Sequence, residues 1–366
     1  MFSIHDLPAV EAWRRRHKVD TYLVRRVRNL LCKKQQSDEV AACELPAEVR
    51  ADFLREVQLH ALELESRHDS ARDGATKLIF RTAGNSPETS ELRLETVILR
   101  IATGRTALCL STQVGCAARC DFCATGKMAV TRDLSAPEIL DQLVQANQLL
   151  AAEGRSVRNL VFMGMGEPFH NEDALYAALD LLANQAVFNL SLRRVLISTV
   201  GIPAAMVRCA KRYPDVRMAV SLHSARQEVR EQIMPIARRH DLTALRAAIA
   251  EVAARSGRVV MIEYLMLHGL TDRAEDAQAL VDYLQGLPVH INLIPYNSIA
   301  DAPHLAGSDR GRREEFSRRL KAAGFPVTTR YSLGADIAAA CGQLAREEHR
   351  RRVAISHPAA TVAISP

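Results

Sequence analysis

From residue 106 onward the sequence alternates short apolar runs with longer amphipathic stretches, and no other feature constrains the fold as strongly. Strands that alternate with helices predict a parallel sheet, because each helix returns the chain to the start of the next strand. The sequence therefore predicts an α/β fold, either an open Rossmann-like sheet or a partial barrel. No Gly-x-Gly-x-x-Gly motif follows the first run, which weakens a dinucleotide-binding interpretation. The predicted strands are Thr106–Thr112, Asn159–Met163, Arg194–Thr199, Arg217–Leu222, Val259–Met266 and His290–Ile294.

Helical periodicity follows each predicted strand. The first of these helices begins at Ser135, which forms a capping box with Glu138 three residues later. A final predicted strand, Val327–Tyr331, leads to a lone cysteine, Cys341. The other predicted helices are Glu172–Ala183, Pro203–Tyr213, Leu242–Ser256, Arg273–Leu287 and Arg310–Ala323.

The N-terminal residues, 1–68, predict a small helical accessory domain with a basic surface. Between Trp13 and Lys34 the chain carries nine Lys or Arg residues against one acid, Asp20. Such runs are usually solvated helix faces, but the imbalance favours a surface that contacts phosphates. The remaining predicted units are a linker with a β-hairpin extension at 69–105 (strands Lys77–Thr82 and Glu91–Arg100), a core at 106–345 and a peripheral tail at 346–366.

Composition and charge exclude several classes of protein. Apolar residues make up 48% of the chain and charged residues 25%, values typical of globular enzymes rather than of disordered chains. The net charge of +6 permits an anionic partner such as nucleic acid without proving one. No apolar run is long enough to cross a membrane, and the N-terminal arginines follow the apolar part, the reverse of a secretory signal. We therefore expect a cytoplasmic protein without a membrane partner, and a monomer.

Three of the eight cysteines lie in one short segment, Cys116-Ala-Ala-Arg-Cys120-Asp-Phe-Cys123, directly after the first predicted strand. A structural zinc site needs a fourth ligand, usually from a second pair, and His170 and His223 are isolated. Three thiolates in one loop instead suit a [4Fe–4S] cluster with one iron left without a protein ligand. S-adenosylmethionine can chelate that iron through its amino and carboxylate groups. The pattern favours the iron–sulfur cluster, and zinc stays the alternative.

The cysteine pattern at the end of a strand, followed by Gly164-Met165-Gly166-Glu167-Pro168 after the next one, resembles the radical SAM superfamily. More narrowly, the chain resembles the RlmN/Cfr family of radical SAM RNA methyltransferases. This resemblance implies a partial (β/α)6 radical SAM barrel with a small N-terminal helical domain. The matching stretches are Glu95–Val97, Cys109–Cys116, Gly164–Pro168, Ser198–Gly201, Ser221–His223, Ile294–Asn297 and Gly334–Leu344.

The resemblance also implies a reaction, the methylation of an adenine ring carbon. Such a carbon has no lone pair to attack a sulfonium methyl group, so radical addition replaces nucleophilic attack. By position, Cys341 would first accept a methyl group from one S-adenosylmethionine and then carry it as a radical to the base. Glu95 would accept the proton from that carbon, and Cys109 would attack the sulfur of Cys341 to form a disulfide and release the RNA.

The family's contacts to S-adenosylmethionine also transfer by position. All of them fall at or just after the C-terminal ends of predicted strands, which is the face where βα barrels bind ligands. They are Gly166, Glu167, Ser198, Ser221, Leu222, His223 and Asn297, while Cys116, Cys120 and Cys123 would hold the cluster.

Within the family, the substrate carbon separates two types of enzyme. Pro168 resembles the C2 type, whereas Ala237 and Ser298 depart from its usual Asn and Pro. We expect C2 of an adenosine in 23S rRNA, with tRNA as a second candidate, and a one-electron reductant such as flavodoxin or ferredoxin. The alternatives are a C8 methyltransferase of the same family and a radical SAM enzyme for a peptide or metabolite, which would not need Cys109, Cys341 or the basic helices. A metal-stabilised RNA-binding module without catalysis is the third hypothesis, and the Gly164–Pro168 motif argues against it.

Overall fold

The computed structural model describes residues 1–82 and 92–345, and its N-terminal unit is helical as far as Glu56. The basic face lies on α1 and α2, and Trp13 on the opposite face packs edge-on against Phe53, with ring centroids 5.0 Å apart. Both rings are buried, so this unit has its own apolar centre. Its elements are β1 (Phe2–Ser3), α1 (Leu7–Arg16), α2 (Thr21–Cys32), α3 (Asp38–Ala42), α4 (Ala47–Glu56) and β2 (Val57–Gln58).

Three antiparallel strands follow, where the sequence predicted a two-stranded hairpin. They are β3 (Leu62–Asp69), β4 (Ala75–Thr82) and β5 (Arg93–Arg100). The predicted helical domain, 1–68, therefore ends too late, because it includes most of β3. Two acids of β3 form ion pairs with other strands, Glu63 with Arg81 and Glu65 with Arg93, and Leu62 and Leu64 alternate with them. The predicted hairpin turn at 83–91 and the peripheral tail at 346–366 lie outside the described residues.

The predicted βα units continue the same sheet as parallel strands. Each strand lies beside the one that precedes it in the chain, in the order β6-β9-β10-β11-β12-β13-β14. Each right-handed crossover moves the chain to the next strand in the same direction, so all the connecting helices lie on one face of the sheet. The sheet therefore curls with these helices outside, as a partial barrel. The open Rossmann-like alternative is wrong, since that sheet reverses direction at its first strand. The strands after β5 are β6 (Thr106–Cys109), β7 (Gln113–Val114), β8 (Arg132–Asp133), β9 (Asn159–Phe162), β10 (Val195–Thr199), β11 (Arg217–Ser221), β12 (Val260–Met266), β13 (Val289–Pro295) and β14 (Val327–Thr329).

The helices around the barrel agree closely with the predicted ones. The predicted capping box is present, since the backbone N–H of Ser135 donates to the Glu138 carboxylate at 2.8 Å and Ser135 Oγ accepts from the Glu138 N–H. One short helix, α8, was not predicted. No helix in the described ranges is long and apolar enough to span a lipid bilayer. The barrel helices are α5 (Ala136–Ala151), α6 (Glu172–Ala183), α7 (Pro203–Arg212), α8 (Gln227–Ile233), α9 (Leu242–Ser256), α10 (Ala274–Leu284) and α11 (Arg310–Ala322).

A half-buried histidine joins the N-terminal unit to the barrel. His60 contacts Asp141 of α5 through Nδ1 at 2.6 Å and Asp38 of α3 through Nε2 at 2.9 Å. Burial alone would lower the pKa of His60, but hydrogen bonds and charges from the two carboxylates outweigh it and raise the pKa to about 10. Asp141 is fully buried, so a protonated His60 supplies the charge that its carboxylate needs.

Candidate active site

The three clustered cysteines lie in a loop whose two ends are fixed by a small antiparallel pair. Strands β7 and β8 bracket the loop, with Val114 opposite Arg132. Inside the loop the Asp121 N–H donates to the Ile233 carbonyl at 2.9 Å, and the Phe122 ring packs edge-on against His223. The loop is thereby held against the C-terminal ends of the barrel strands.

A cavity that opens to solvent lies between this loop and the strand ends. Residues from the loop, from β9 to β13 and from the segment after β14 line it, so the curled sheet surrounds it. Most of the predicted site residues meet there. The predicted residues that line the cavity are Cys116, Cys120, Cys123, Gly166, Glu167, Ser198, Ser221, His223 and Cys341.

The cysteine loop fits a cubane better than a single metal ion. In residues 1–82 and 92–345 no three His, Cys, Asp or Glu side chains are close enough together to hold one metal ion. Zinc would draw its thiolates to about 2.3 Å from one point. A [4Fe–4S] cluster binds each thiolate to a different iron, so it needs them further apart around one space, and all three cysteines border one cavity. Burial raises the pKa of Cys116 to about 12, so a bound cation is needed to stabilise the thiolate.

Glu167 is buried at the end of β9 and accepts hydrogen bonds from three protein donors. These are the Thr199 hydroxyl at 2.7 Å, the Val200 N–H at 2.8 Å and the Phe169 N–H at 3.1 Å. Burial raises the pKa of Glu167 to about 7, although these donors favour the ionised form. A carboxylate has about four acceptor positions, so one remains for an ammonium group in the cavity.

His223 is held in a single tautomer at the end of β11. The Leu265 N–H donates to its Nδ1 at 3.1 Å, so the neutral ring carries its proton on Nε2. Burial lowers the pKa of His223 to about 3, which keeps the ring neutral at physiological pH. Its backbone has a φ of 58°, in the left-handed region, which turns the chain at the cavity edge.

Two predicted cofactor contacts do not line the cavity. Leu222 is fully buried, and its N–H donates to the Glu263 carbonyl at 3.1 Å. Asn297 donates from its side-chain amide to the Cys341 carbonyl at 3.1 Å and to Ser332 Oγ at 3.0 Å. In this structure Asn297 therefore positions the backbone of Cys341.

The segment that carries Cys341 docks directly on the cysteine loop. The Ala124 N–H donates to the Gly342 carbonyl at 2.8 Å, and Thr125 Oγ1 donates to the Leu344 carbonyl at 2.6 Å. These contacts bring the lone cysteine after β14 to the cavity that the clustered cysteines border. The docking explains how residues more than 200 positions apart in the sequence meet in one site.

Glu95 and Cys109 lie behind this segment, outside the cavity lining. The Glu95 carboxylate accepts from the Ala345 N–H at 3.1 Å and lies 3.6 Å from Lys77 Nζ. Cys109 ends β6, and burial raises the pKa of its thiol to about 12, with the Cys341 thiol as a further contribution. Both cysteines are free thiols here and close enough to affect each other.

Sequence reasoning missed several polar or sulfur-containing residues that line the cavity. Glu263 on β12, Arg330 after β14 and Met163 after β9 belong to this group. Arg330 donates from Nη1 to the Met163 sulfur at 3.2 Å. A usable signal existed for Glu263, because it is the single charged residue in the strand sequence Val-Met-Ile-Glu-Tyr-Leu-Met.

The basic N-terminal run is less available for phosphates than its sequence suggests. Arg14 and Arg15 share Glu11, Arg16 pairs with Glu56, and Arg26 lies 2.6 Å from Glu44. Four of the nine cations thus form ion pairs with three acids that lie outside the run. The exposed cations in the run that have no ion-pair partner within the described residues are Lys18, Arg25 and Lys34.

The comparisons with known proteins agree with this geometry. The Radical SAM superfamily profile matches residues 110–284. A probable RNA methyltransferase of Rhodopirellula baltica is 49% identical over 96% of this chain and 89% of that protein. A probable dual-specificity RNA methyltransferase RlmN of Thermus thermophilus is 38% identical over 82% of each chain. The crystal structure of a radical SAM methyltransferase from Sphaerobacter thermophilus has a TM-score of 0.88 and 35% identity, and the match covers 94% of this chain and 99% of that one.

Proposed function

Because the chain belongs to the RlmN family of radical SAM RNA methyltransferases, we propose that it methylates C2 of an adenosine, in 23S rRNA and also in tRNA. The family uses a [4Fe–4S] cluster and S-adenosylmethionine. The dual-specificity naming of the relatives supports two RNA substrates, and Pro168 after Glu167 supports C2 over C8.

One observation carries the proposal, namely that Cys341 lines the same cavity as the three clustered cysteines. A radical SAM enzyme for a peptide or metabolite needs the cluster cysteines and Glu167 but has no use for a fourth cysteine docked on their loop. The Asn297 side-chain amide donates to the Cys341 carbonyl, and the Ala124 N–H donates to the carbonyl of the next residue, Gly342, so both hold Cys341 at this position. This placement suits a thiol that carries a methyl group between the cofactor and the RNA base.

When bound, the cluster supplies the electron that splits S-adenosylmethionine into methionine and a 5′-deoxyadenosyl radical. Cys341 would carry the methyl group in the cavity, and Cys109 would attack the Cys341 sulfur once the base is attached, so that the disulfide forms as the bond from that sulfur to the methylene carbon breaks and the methylated base leaves. Glu95 is the proposed proton acceptor, and its hydrogen bond to the Ala345 N–H also fixes the segment. Arg330 is close enough to both thiols to stabilise negative charge as it develops on them.

An isotope experiment tests both the carbon and the RNA. The reconstituted enzyme is supplied with S-adenosylmethionine, flavodoxin or ferredoxin as reductant, and 23S rRNA or tRNA fragments deuterated at either C2 or C8 of the target adenosines. We expect deuterium loss from C2-labelled RNA only, with 2-methyladenosine found by nucleoside mass spectrometry. The Cys341→Ala enzyme is the matched control. Loss of the C8 label would identify the C8 alternative, and absence of any methylated nucleoside from both RNAs would contradict the proposal.

A further inference from the structure

A polar row crosses the interior of the barrel on four neighbouring strands. Ser221 on β11 is in register with Glu263 on β12, which is in register with Asn292 on β13, and Asn292 with Thr328 on β14. Ser221 and Glu263 line the cavity, whereas Asn292 and Thr328 face the opposite, N-terminal end of the barrel. The row therefore runs from the cavity to the far side of the sheet.

Glu263 has one carboxylate oxygen in use and one without a partner. Its Oε2 accepts from the Asn292 side-chain amide at 2.7 Å. Its Oε1 is buried, and within the described residues no donor reaches it. The residue is only 2% exposed and lines the cavity. A buried acceptor without a donor is unfavourable, so a ligand that brings a donor would be bound more tightly.

Hydrogen bonds along the row determine whether Glu263 donates or accepts toward Asn292. Thr328 Oγ1 donates to Asn292 Oδ1 at 3.1 Å, so the amide must present its N–H groups to Glu263. His290 Nε2 lies 3.0 Å from Thr328 Oγ1 and donates to it, since the hydroxyl proton is already used. All donors in the row thus point toward Glu263, which makes the carboxylate an acceptor.

Arg330 supplies the charge that suits an ionised Glu263. Its guanidinium also lines the cavity and is close enough to interact with the Glu263 carboxylate. Among the described residues, His223 is the one further basic side chain that lines this cavity, and the Leu265 N–H and burial keep it neutral. Burial raises the pKa of Glu263, whereas the Arg330 charge and the Asn292 hydrogen bond act in the opposite direction and favour the ionised acceptor.

The position of Glu263 indicates which part of a ligand it meets. Glu167, the candidate for the ammonium group, is bound by Thr199 and Val200 at the end of β10, and Glu263 lies on β12, two strands further along the sheet, on the order of 10 Å at the usual strand spacing. A molecule whose amino acid end is anchored at the cysteine loop would place its nucleoside end beside β11 and β12. That end of S-adenosylmethionine carries two hydroxyls and an amino group as donors.

We propose that Glu263 is a ligand-binding residue whose free carboxylate oxygen accepts a hydrogen bond from a hydroxyl or amino group of an adenosine in the cavity. The inference rests on the proposed function, which brings two adenosines there, one in S-adenosylmethionine and one in the RNA. The position of Glu263 along the sheet favours the adenosine of S-adenosylmethionine. Both adenosines carry the same hydroxyl and amino donors, so separate binding measurements with each ligand distinguish them.

The test compares wild-type reconstituted enzyme with Glu263→Gln, which preserves the size and removes the charge. Because Asn292 must still donate, the Gln amide would turn its oxygen toward Asn292 and its NH2 group toward the ligand, where an acceptor is needed. We expect S-adenosylhomocysteine, measured by anaerobic calorimetry, to bind about 10- to 100-fold more weakly. Glu153→Gln, which changes a surface ion pair with Arg100, is the matched control and should bind as the wild type.

Ligand analogues show whether the effect is a direct contact. One of the 2′-deoxy, 3′-deoxy or 6-deamino analogues of S-adenosylhomocysteine should bind wild type more weakly and show no further loss in Glu263→Gln. Weaker binding of an RNA fragment with unchanged S-adenosylhomocysteine binding would instead assign the contact to the substrate adenosine. Unchanged binding of both ligands, or an equal loss for every analogue, would overturn the proposal. Glu263→Asp, which withdraws the carboxylate by one methylene, is the second variant if Gln does not fold, with iron content as the folding check.

These outcomes are separable from the proposed function. A wild-type enzyme that methylates no RNA would contradict that function, while the selective loss of affinity for S-adenosylhomocysteine would still support the contact. Conversely, full RNA methylation together with unchanged ligand affinity in Glu263→Gln would remove only the contact.

Discussion

Cys341 and Cys109 have different surroundings, and these suit different roles. Cys341 is half-buried and lines the cavity, whereas Cys109 is buried at the end of β6. Burial raises the pKa of Cys109 to about 12, which keeps that thiol protonated and unreactive until a disulfide-forming attack is favoured. A methyl carrier needs access to the ligand space, and a resolving thiol needs only the carrier's sulfur.

Single substitutions of these thiols should both abolish turnover, but in different ways. Cys109→Ala should accumulate RNA bound covalently through Cys341, because no second thiol can release it. Cys341→Ala should form no adduct, and the double variant should behave like Cys341→Ala. Denaturing gels of the purified proteins with labelled RNA measure the difference. Normal methylation by either single variant would contradict the assigned roles.

For single residues, the sequence predicts the cavity-lining side chains that belong to short motifs and misses those that lie within or beside strands. The three cluster cysteines and Glu167 stand next to glycines and other recognisable neighbours, and the structure brings them to one cavity. Glu263 and Arg330 have no such neighbours. Their place in the cavity depends on strand register and on which face of each strand points inward, and neither can be read from one sequence alone.

The docking of residues 341–345 on the cysteine loop is the contact between elements on which the site depends. Gly342 has a φ of +84°, and a Cβ there would lie 3.2 Å from the Phe122 carbonyl oxygen. Relief of this contact needs a shift of a few tenths of an ångström, and a backbone oxygen yields less easily than a flexible side chain, so we expect a side chain here to push the segment away from the loop.

Gly342→Ala should therefore lose most methylation while it retains the iron of the cluster. Gly324→Ala is the matched control, because Gly324 has a similar φ of +89° and nothing within 4 Å of its Cβ position. Each substitution should cost about 1–2 kcal/mol for the left-handed backbone. Methylation assays and iron analysis of both variants measure the effect, and equal activity of the two would show that the close approach is unimportant.

Helices with clear capping and periodicity were predicted closely, whereas strand β3 was not, for a physical reason. The helix after Ser135 begins where its capping box predicts, because the cap is made by residues within one turn. β3 was included in the helical domain because Glu63, Glu65 and Arg67 look like a charged helix. Its strand conformation depends on pairing with β4, which its own sequence does not specify.

Across the whole molecule, the His60 contact with Asp38 and Asp141 should make stability depend on pH. The pKa of His60 is about 10 in the folded chain and near 6.5 when unfolded, so the folded state binds the proton more tightly. The stabilisation is complete below about pH 6.5 and is lost as the pH rises through about 10. His60→Gln should cost about 3 kcal/mol at pH 6 and much less at pH 10.5, as measured by urea unfolding. A pH-independent difference would contradict the ionic contact.

The charge distribution of the N-terminal unit predicts which cations contact RNA. Lys18, Arg25 and Lys34 changed together to Gln should weaken RNA binding and reduce the slope of log affinity against log salt by about 0.7–0.9 for each lost phosphate contact. Arg14, Arg15 and Arg16 changed together are the control, since their guanidinium groups already bind Glu11 and Glu56. A larger effect of the control would show that these ion pairs open when RNA binds.

The docking of Cys341 beside Cys123 also sets an order of events during protein synthesis. The ribosome makes Cys341 218 residues after Cys123, which takes on the order of 10–40 s at usual elongation rates. Throughout that interval the nascent chain has the cysteine loop but not the segment whose Gly342 carbonyl covers its Ala124 N–H. The side of the cavity that the 341–345 segment lines therefore stays uncovered while the barrel strands emerge. Only this late segment of the chain covers it. Iron delivered during translation would meet a loop that is more accessible than the one in the finished protein.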